Sequence, residues 1–130
     1  MTLSHIPKRT TIPRDTGLTM MMDKGLSTRQ MEDFLSTSAS FTDIIKFGFG
    51  TSIVSNNIQE KVSLMKQIGV KPYFGGTMFE LYYARNQESE YFKIVDNFGI
   101  ETVEISDGSI ILEHEEKCEL IYKYSKNYTV

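Results

Sequence analysis

Four short segments of this chain place glycine beside a charged or hydroxyl side chain: DKG (Asp23–Gly25), FGFGTS (Phe47–Ser52), GGT (Gly75–Thr77) and SDGS (Ser106–Ser109). The chemistry they offer is anion binding. Glycine, lacking a Cβ, lets backbone N–H groups approach a ligand closely, and a helix starting there adds partial positive charge. Lys24 and Lys46 put full positive charges at the first two segments. Glu104 and Asp107 bring hard carboxylate oxygens to the fourth, suited to Mg2+ held with substrate oxygens. Lys24 and Lys46 are therefore the candidates for the reacting centre. Gly48, Gly50, Thr51, Ser52, Gly75, Gly76, Thr77 and Ser109 are the candidates for holding an anionic substrate, and Glu104 and Asp107 for holding the metal.

Taken singly, each signal has a plain structural reading. G-x-G-T after a strand often serves only the turn. Lys24 reads alone as a solvated cation, and Asp107 as the cap of a following helix. Thr77 and Glu80 have capping-box spacing, which accounts for Glu80 without a functional role. His114 reads as a surface residue, Cys118 as a small residue packed on its helix, Met20–Met22 as core, and Lys61 and Lys66 as surface lysines. Lys46 is harder to dismiss, because alternation places it with Thr42 and Ile44, opposite Ile45 and Phe47. By the same rule Glu104 lies with Thr102 and Ser106, opposite Val103 and Ile105.

The elements that must position these residues alternate along the chain. Strands are expected over Thr16–Met22, Phe41–Phe47, Val70–Phe74 and Glu101–Ser106, where β-branched and apolar residues concentrate. Helices are expected over Ser27–Ser38, about Asn56–Ile68, Thr77–Phe98 with a break near Asn86, and about Leu112–Ser125. Ser27 and Gln30 form a capping box, and Ile58, Val62, Met65 and Ile68 make one apolar stripe. Gly69 and Gly99 stand where left-handed helix ends are wanted. Tyr128–Val130 reads as a fifth strand beginning.

Strand–helix units repeated this way imply right-handed crossovers and a parallel sheet, whose post-strand loops gather at one end. Either a small doubly wound sheet or half of a (β/α)8 barrel would satisfy the pattern. A helix followed by three β-formers favours the half barrel, with the fold continuing past Val130. Residues 1–15 are expected to form a loose arm, and residues 16–130 the half barrel.

The 130 residues, 40% hydrophobic and 24% charged with net charge −3, fit one globular domain. Mild acidity and the lack of a basic stripe argue against a nucleic-acid partner. No apolar run approaches a membrane span, and the opening residues lack the apolar region of a signal peptide. A single cysteine fits a reducing cytoplasm.

The segments GLTMMMDKGLS, DIIKFGFGTS, KPYFGGTMFE and VEISDGS, in this order and spacing, resemble the phosphosulfolactate synthase family from about Arg14 to Val130. The resemblance implies a (β/α)8 barrel of about twice this length. It also implies Mg2+-dependent addition of sulfite to phosphoenolpyruvate, giving 2-phospho-3-sulfolactate, a step toward coenzyme M in methanogens. It implies a homo-oligomer at full length, and a proton-donating lysine just after strand five, beyond Val130. The family also has stress-associated plant relatives, so a non-catalytic anion-binding barrel protein is the alternative reading.

Overall fold

A computed structural model describes residues 4–130; the first three residues of the expected arm lie outside them. Among the described residues the chain forms an α/β fold with three parallel strands and six helices. The strands β1 (Met20–Asp23), β2 (Ile44–Phe47) and β3 (Lys71–Phe74) pair in the order β1-β2-β3. Met22, Lys46 and Tyr73 form one row across the sheet, and Asp23, Phe47 and Phe74 the next. The helices are α1 (Thr28–Ser38), α2 (Thr51–Val54), α3 (Ile58–Ile68), α4 (Gly76–Tyr83), α5 (Glu88–Asn97) and α6 (His114–Tyr124). None of them is long and apolar enough to cross a membrane.

Helix starts and stops follow local chemistry. The Ser27 hydroxyl accepts from Gln30 N–H, while Gln30 Oε1 accepts from Ser27 N–H, completing the capping box. Gly69 ends α3 at φ 85°, a conformation that favours glycine, and Val70 N–H then reaches back to Met65 O. The break near Asn86 is real: α4 and α5 are separate helices, and Asn86 has a φ of 56°. Asparagine tolerates that region better than most residues.

The two faces of the sheet differ. Ile45, Phe47, Pro72 and Phe74 are buried, joined in the core by Met31 and Leu35 of α1 and by Val62 and Met65 of α3. The other face, with Met22, Ile44, Lys46 and Tyr73, is only half-buried. Met20 is largely exposed, so the methionine run is not uniformly core. Alternation sends successive methionines to opposite faces.

The strands are shorter than the sequence suggested. β1 starts at Met20 because Gly17 turns the chain at φ 66°, and Leu18 is exposed. β2 starts at Ile44 because Ala39–Phe41 form a 3-10 turn. α6 starts at His114; Leu112 is buried ahead of it, and Cys118 lies on its exposed side. Ile68, at the end of the α3 stripe, is also exposed.

Glu101–Ser106 is not a paired strand beside β3. Its pairing is one parallel bridge, Thr102 with Thr129, in which Thr129 N–H donates to Glu101 O and Val103 N–H to Thr129 O. Tyr128–Val130, expected to begin a fifth strand, contributes this one bridge and no strand. Proline accounts for the gap on the other side. Lys71 and Gly75 donate toward β2, so alternation turns the Pro72 and Phe74 nitrogens toward Glu101–Ser106. Pro72 has no N–H to give.

The most buried charges form one ion pair. Lys61 Nζ lies 2.6 Å from Asp23 Oδ2 and 2.8 Å from Leu26 O, with neither side chain meaningfully exposed. The ammonium also stands 5.2 Å from the Phe47 ring centre. Lys61 is thus not a surface lysine. Lys66 is committed too, donating to Phe98 O and Gly99 O. Ahead of β1, residues 4–15 form no helix or strand, but Arg14 pairs with Asp43 at 2.7 Å and donates to Ser40 O.

Two outcomes follow for stability. Lys61→Met should lower the unfolding free energy by about 3–5 kcal/mol, since it leaves the Asp23 charge buried without its partner. Urea denaturation would measure this, and a cost near zero would exclude a structural role for the pair. Asp43 is pushed up by burial, but the Thr19 N–H and Arg14 more than reverse this and hold it below its ordinary 3.8. Its stabilisation is therefore full above pH 3.8 and lost as acid titrates the folded carboxylate. Asp43→Asn should flatten that part of the acid unfolding curve.

Candidate functional site

The site forms where the open face of the sheet meets the loops after the strands. Lys46, next to last in β2, directs its ammonium to Glu104, two residues before the end of the Glu101–Ser106 segment. Nζ donates to Oε1 at 2.9 Å and lies 2.7 Å from Oε2. Oε2 is buried and faces that ammonium as its charge partner. Tyr73, opposite Lys46 in the sheet register, turns its phenol toward the same carboxylate. Burial, reinforced by the Glu104 charge, pushes that phenol up to about 12. It stays a neutral proton donor at physiological pH.

Glycine makes this packing possible at two positions. A Cβ on Gly75 would come within 2.7 Å of Lys46 Cε and 2.9 Å of Phe47 O. A Cβ on Gly76 would collide with the Ser106 side chain and reach 3.0 Å from Glu104 Oε1. The GGT segment is therefore a slot into which the lysine and the fourth segment fit. Gly75 is the N-cap of α4 and brings no side-chain cap, so the predicted Thr77–Glu80 capping box does not form.

Glu80 does something else. Its buried carboxylate accepts from Ser106 Oγ, Gly108 N–H (2.8 Å), Ser109 N–H (3.1 Å) and Ser109 Oγ. Burial pushes the carboxyl up, but these bonds outweigh it and hold Glu80 below its ordinary value. The SDGS loop is thus folded around an internal anion, and the donors of Ser109 are already engaged.

The other sequence candidates are spread around this centre. Thr51 donates to Gly48 O at 2.8 Å, closing the turn after β2, where Phe49 (φ 56°) and Gly50 (φ 68°) are both left-handed. Gly48 packs tightly beneath Met22. Ser52 donates to Met78 Sδ, and Thr77 stands in the first turn of α4. Lys24 is exposed, with its ammonium 5.6 Å from the Phe49 ring centre. Asp107 pairs with Lys117 on α6 at 2.6 Å rather than turning toward Glu104. Lys46, Glu104, Gly75 and Gly76 are brought together; Lys24, Ser52 and Asp107 engage elsewhere.

A divalent metal can be tested against these residues. Among those described, no three carboxylate, histidine or cysteine side chains converge. Glu104, whose carboxylate faces the Lys46 ammonium on the open face of the sheet, is the residue here with the character of a ligand. That fits Mg2+, which often takes few protein carboxylates and completes its shell with water and substrate oxygens.

Sequence reasoning passed over two residues here, and both carried a signal. Tyr73 alternates with the buried Pro72 and Phe74, which assigns it to the open face with Lys46. Glu80 lies within an otherwise apolar helix, where a carboxylate needs partners.

The family model described as (2R)-phospho-3-sulfolactate synthase (ComA) matches residues 7–130. A phosphosulfolactate synthase of Methanothermobacter thermautotrophicus is 40% identical over 117 residues, covering 88% of this chain and 45% of the relative. One from Bacillus subtilis is 33% identical over 126 residues, covering 97% and 50%. One from Methanocaldococcus jannaschii is 39% identical over 113 residues, covering 85% and 45%. The chain thus spans about half the length of these relatives. With a match over nearly its whole length, this chain belongs to the phosphosulfolactate synthase family.

Proposed function

We propose that the open face serves the addition of sulfite to phosphoenolpyruvate, giving 2-phospho-3-sulfolactate. The strands β1–β3 and the Glu101–Ser106 segment are then the first four strands of a (β/α)8 barrel. The observation that carries this reading is the Lys46–Glu104 pair, set beside the Gly75–Gly76 slot at the C-terminal ends of parallel strands. In such barrels that end carries the active site. Relatives of about twice the length leave room for the remaining units.

Both substrates are polyanions, so bringing them together requires positive charge. The sulfite sulfur forms a bond to the methylene carbon, and the double-bond electrons move toward the carboxylate as an enediolate. A proton then goes to the carbon bearing the phosphate, from a donor in the half this chain does not span. Lys46 meets the charge where it develops, the kind of preorganised contact that lowers such barriers most. Its ion pair with Glu104 keeps the ammonium aimed into the site before substrate arrives. Tyr73 adds a neutral donor on the same carboxylate. Glu104 is the residue that would hold Mg2+, which when bound supplies Lewis-acid charge beside the substrate carboxylate.

The test supplies this chain with the remaining half of the Methanothermobacter relative and measures phosphosulfolactate formation at varied Mg2+. Lys46→Ala should cost about 10²–10³ in rate, the usual loss for one charge-stabilising contact. Wild-type rates in a folded Lys46→Ala protein would make Lys46 a bystander. Glu104→Gln should raise the Mg2+ concentration needed for half-maximal rate; an unchanged requirement would remove Glu104 as the metal's holder.

A further inference from the structure

Glu80 is buried, negatively charged and bonded to four donors of one loop, yet it belongs to none of the groups that meet substrate in the reading above. We propose that Glu80 is a positioning residue for the Lys46–Glu104 pair. The inference rests on the reading of that pair as the reacting centre.

The connection runs through the fourth segment. Glu104 and Ser106 point the same way from an extended stretch, while Val103 and Ile105 are buried on its other side. That stretch has no ladder to β3; the Thr102–Thr129 bridge holds only its beginning. Its end, from Glu104 onward, needs another anchor. Glu80 supplies one by accepting from the Ser106 hydroxyl and from the Gly108 and Ser109 amides. Gly76, one helical turn before Glu80, leaves the room into which Ser106 and Glu104 settle. The carboxylate on α4 therefore draws Ser106 down into the glycine slot, and Glu104, two residues earlier, is carried to within reach of Lys46.

The alternative is that the loop closes over Glu80 for stability alone, with Glu104 held by Lys46 unaided. The two accounts differ in what happens to the ion pair when the clamp is weakened. In the positioning account the pair loosens while the rest of the fold keeps its contacts. In the purely structural account the pair persists, or every contact weakens together.

A zero-length carbodiimide crosslink reads this directly, since it joins an amine to a carboxylate already in contact. In the wild-type chain, peptide mapping by mass spectrometry should find a Lys46–Glu104 isopeptide bond. A Lys93–Glu90 bond on α5 serves as the internal control. Glu80→Gln keeps the shape but loses the charge, and should reduce the Lys46–Glu104 yield about tenfold, as expected for one charge-assisted hydrogen bond. The α5 yield should not change. Ser106→Ala, which removes a single hydroxyl, should reduce the same crosslink by a smaller factor. It becomes the deciding variant if Glu80→Gln loses the α5 crosslink too. An unchanged Lys46–Glu104 yield in a folded Glu80→Gln chain, or in Ser106→Ala when that variant decides, overturns the inference. The measurement uses no substrate, so absence of sulfite addition would remove the functional reading and leave this result intact.

Discussion

The buried ion pair between Asp23 and Lys61 is the constraint on which the first half of the fold depends. Asp23 ends β1 and accepts from the Gly25 and Leu26 amides as well as from Lys61. Lys61 returns a hydrogen bond to Leu26 O and covers the ring of Phe47 at the end of β2. One carboxylate and one ammonium thus define the first loop, the seat of α3 and the level at which β2 finishes. Two charges out of water gain little unless their remaining bonding capacity is met. Here the acid has three donors and the base two acceptors, so the pair trades possible extra stability for a single arrangement of the strand ends.

That arrangement leaves the charges on the open face. Lys46 stands one residue before Phe47 in β2, so a strand end held level by Asp23 and Lys61 also sets the height of Lys46 above the sheet. The two lysine–carboxylate pairs divide the work by face. Asp23 and Lys61 lie under the helices, where water is excluded. Lys46 and Glu104 lie where solvent still reaches, and in the proposed function substrate anions and a metal would compete for either partner. A pair that must exchange partners cannot be as deeply buried as one that must not.

The second half of the chain is held by aromatic surface and phenol–carboxylate bonds rather than by a strand ladder. Phe92 stacks on Tyr124, and Tyr128 packs beside both. Tyr124 donates to Glu88, Tyr83 to Glu116 and Tyr128 to Asp96. These contacts fasten α6 and the following residues onto α4 and α5. The loop that Glu80 gathers lies between these two regimes.

Much of this was legible in the residues themselves. Hydrophobic period placed α3, the Ser27–Gln30 spacing predicted a cap that formed at the start of α1, and Gly69 marked a helix end. Alternation put Lys46 and Glu104 on the faces where they are found, because side-chain direction in an extended chain depends only on parity. Even Lys61 was readable: Ile58, Lys61, Val62 and Met65 follow the i, i+3, i+4, i+7 spacing of a buried face. What sequence could not decide was partnership. Asp23 and Lys61 are 38 residues apart, Lys46 and Glu104 are 58, and Glu80 meets Ser109 across 29. Asp107 looked equivalent to Glu104 as a metal ligand, yet its carboxylate turned to Lys117. Spacing along a chain sets which way a side chain points, but which charge it meets is settled only when separate elements pack. Desolvation then makes one pairing cheap and leaves the alternatives costly.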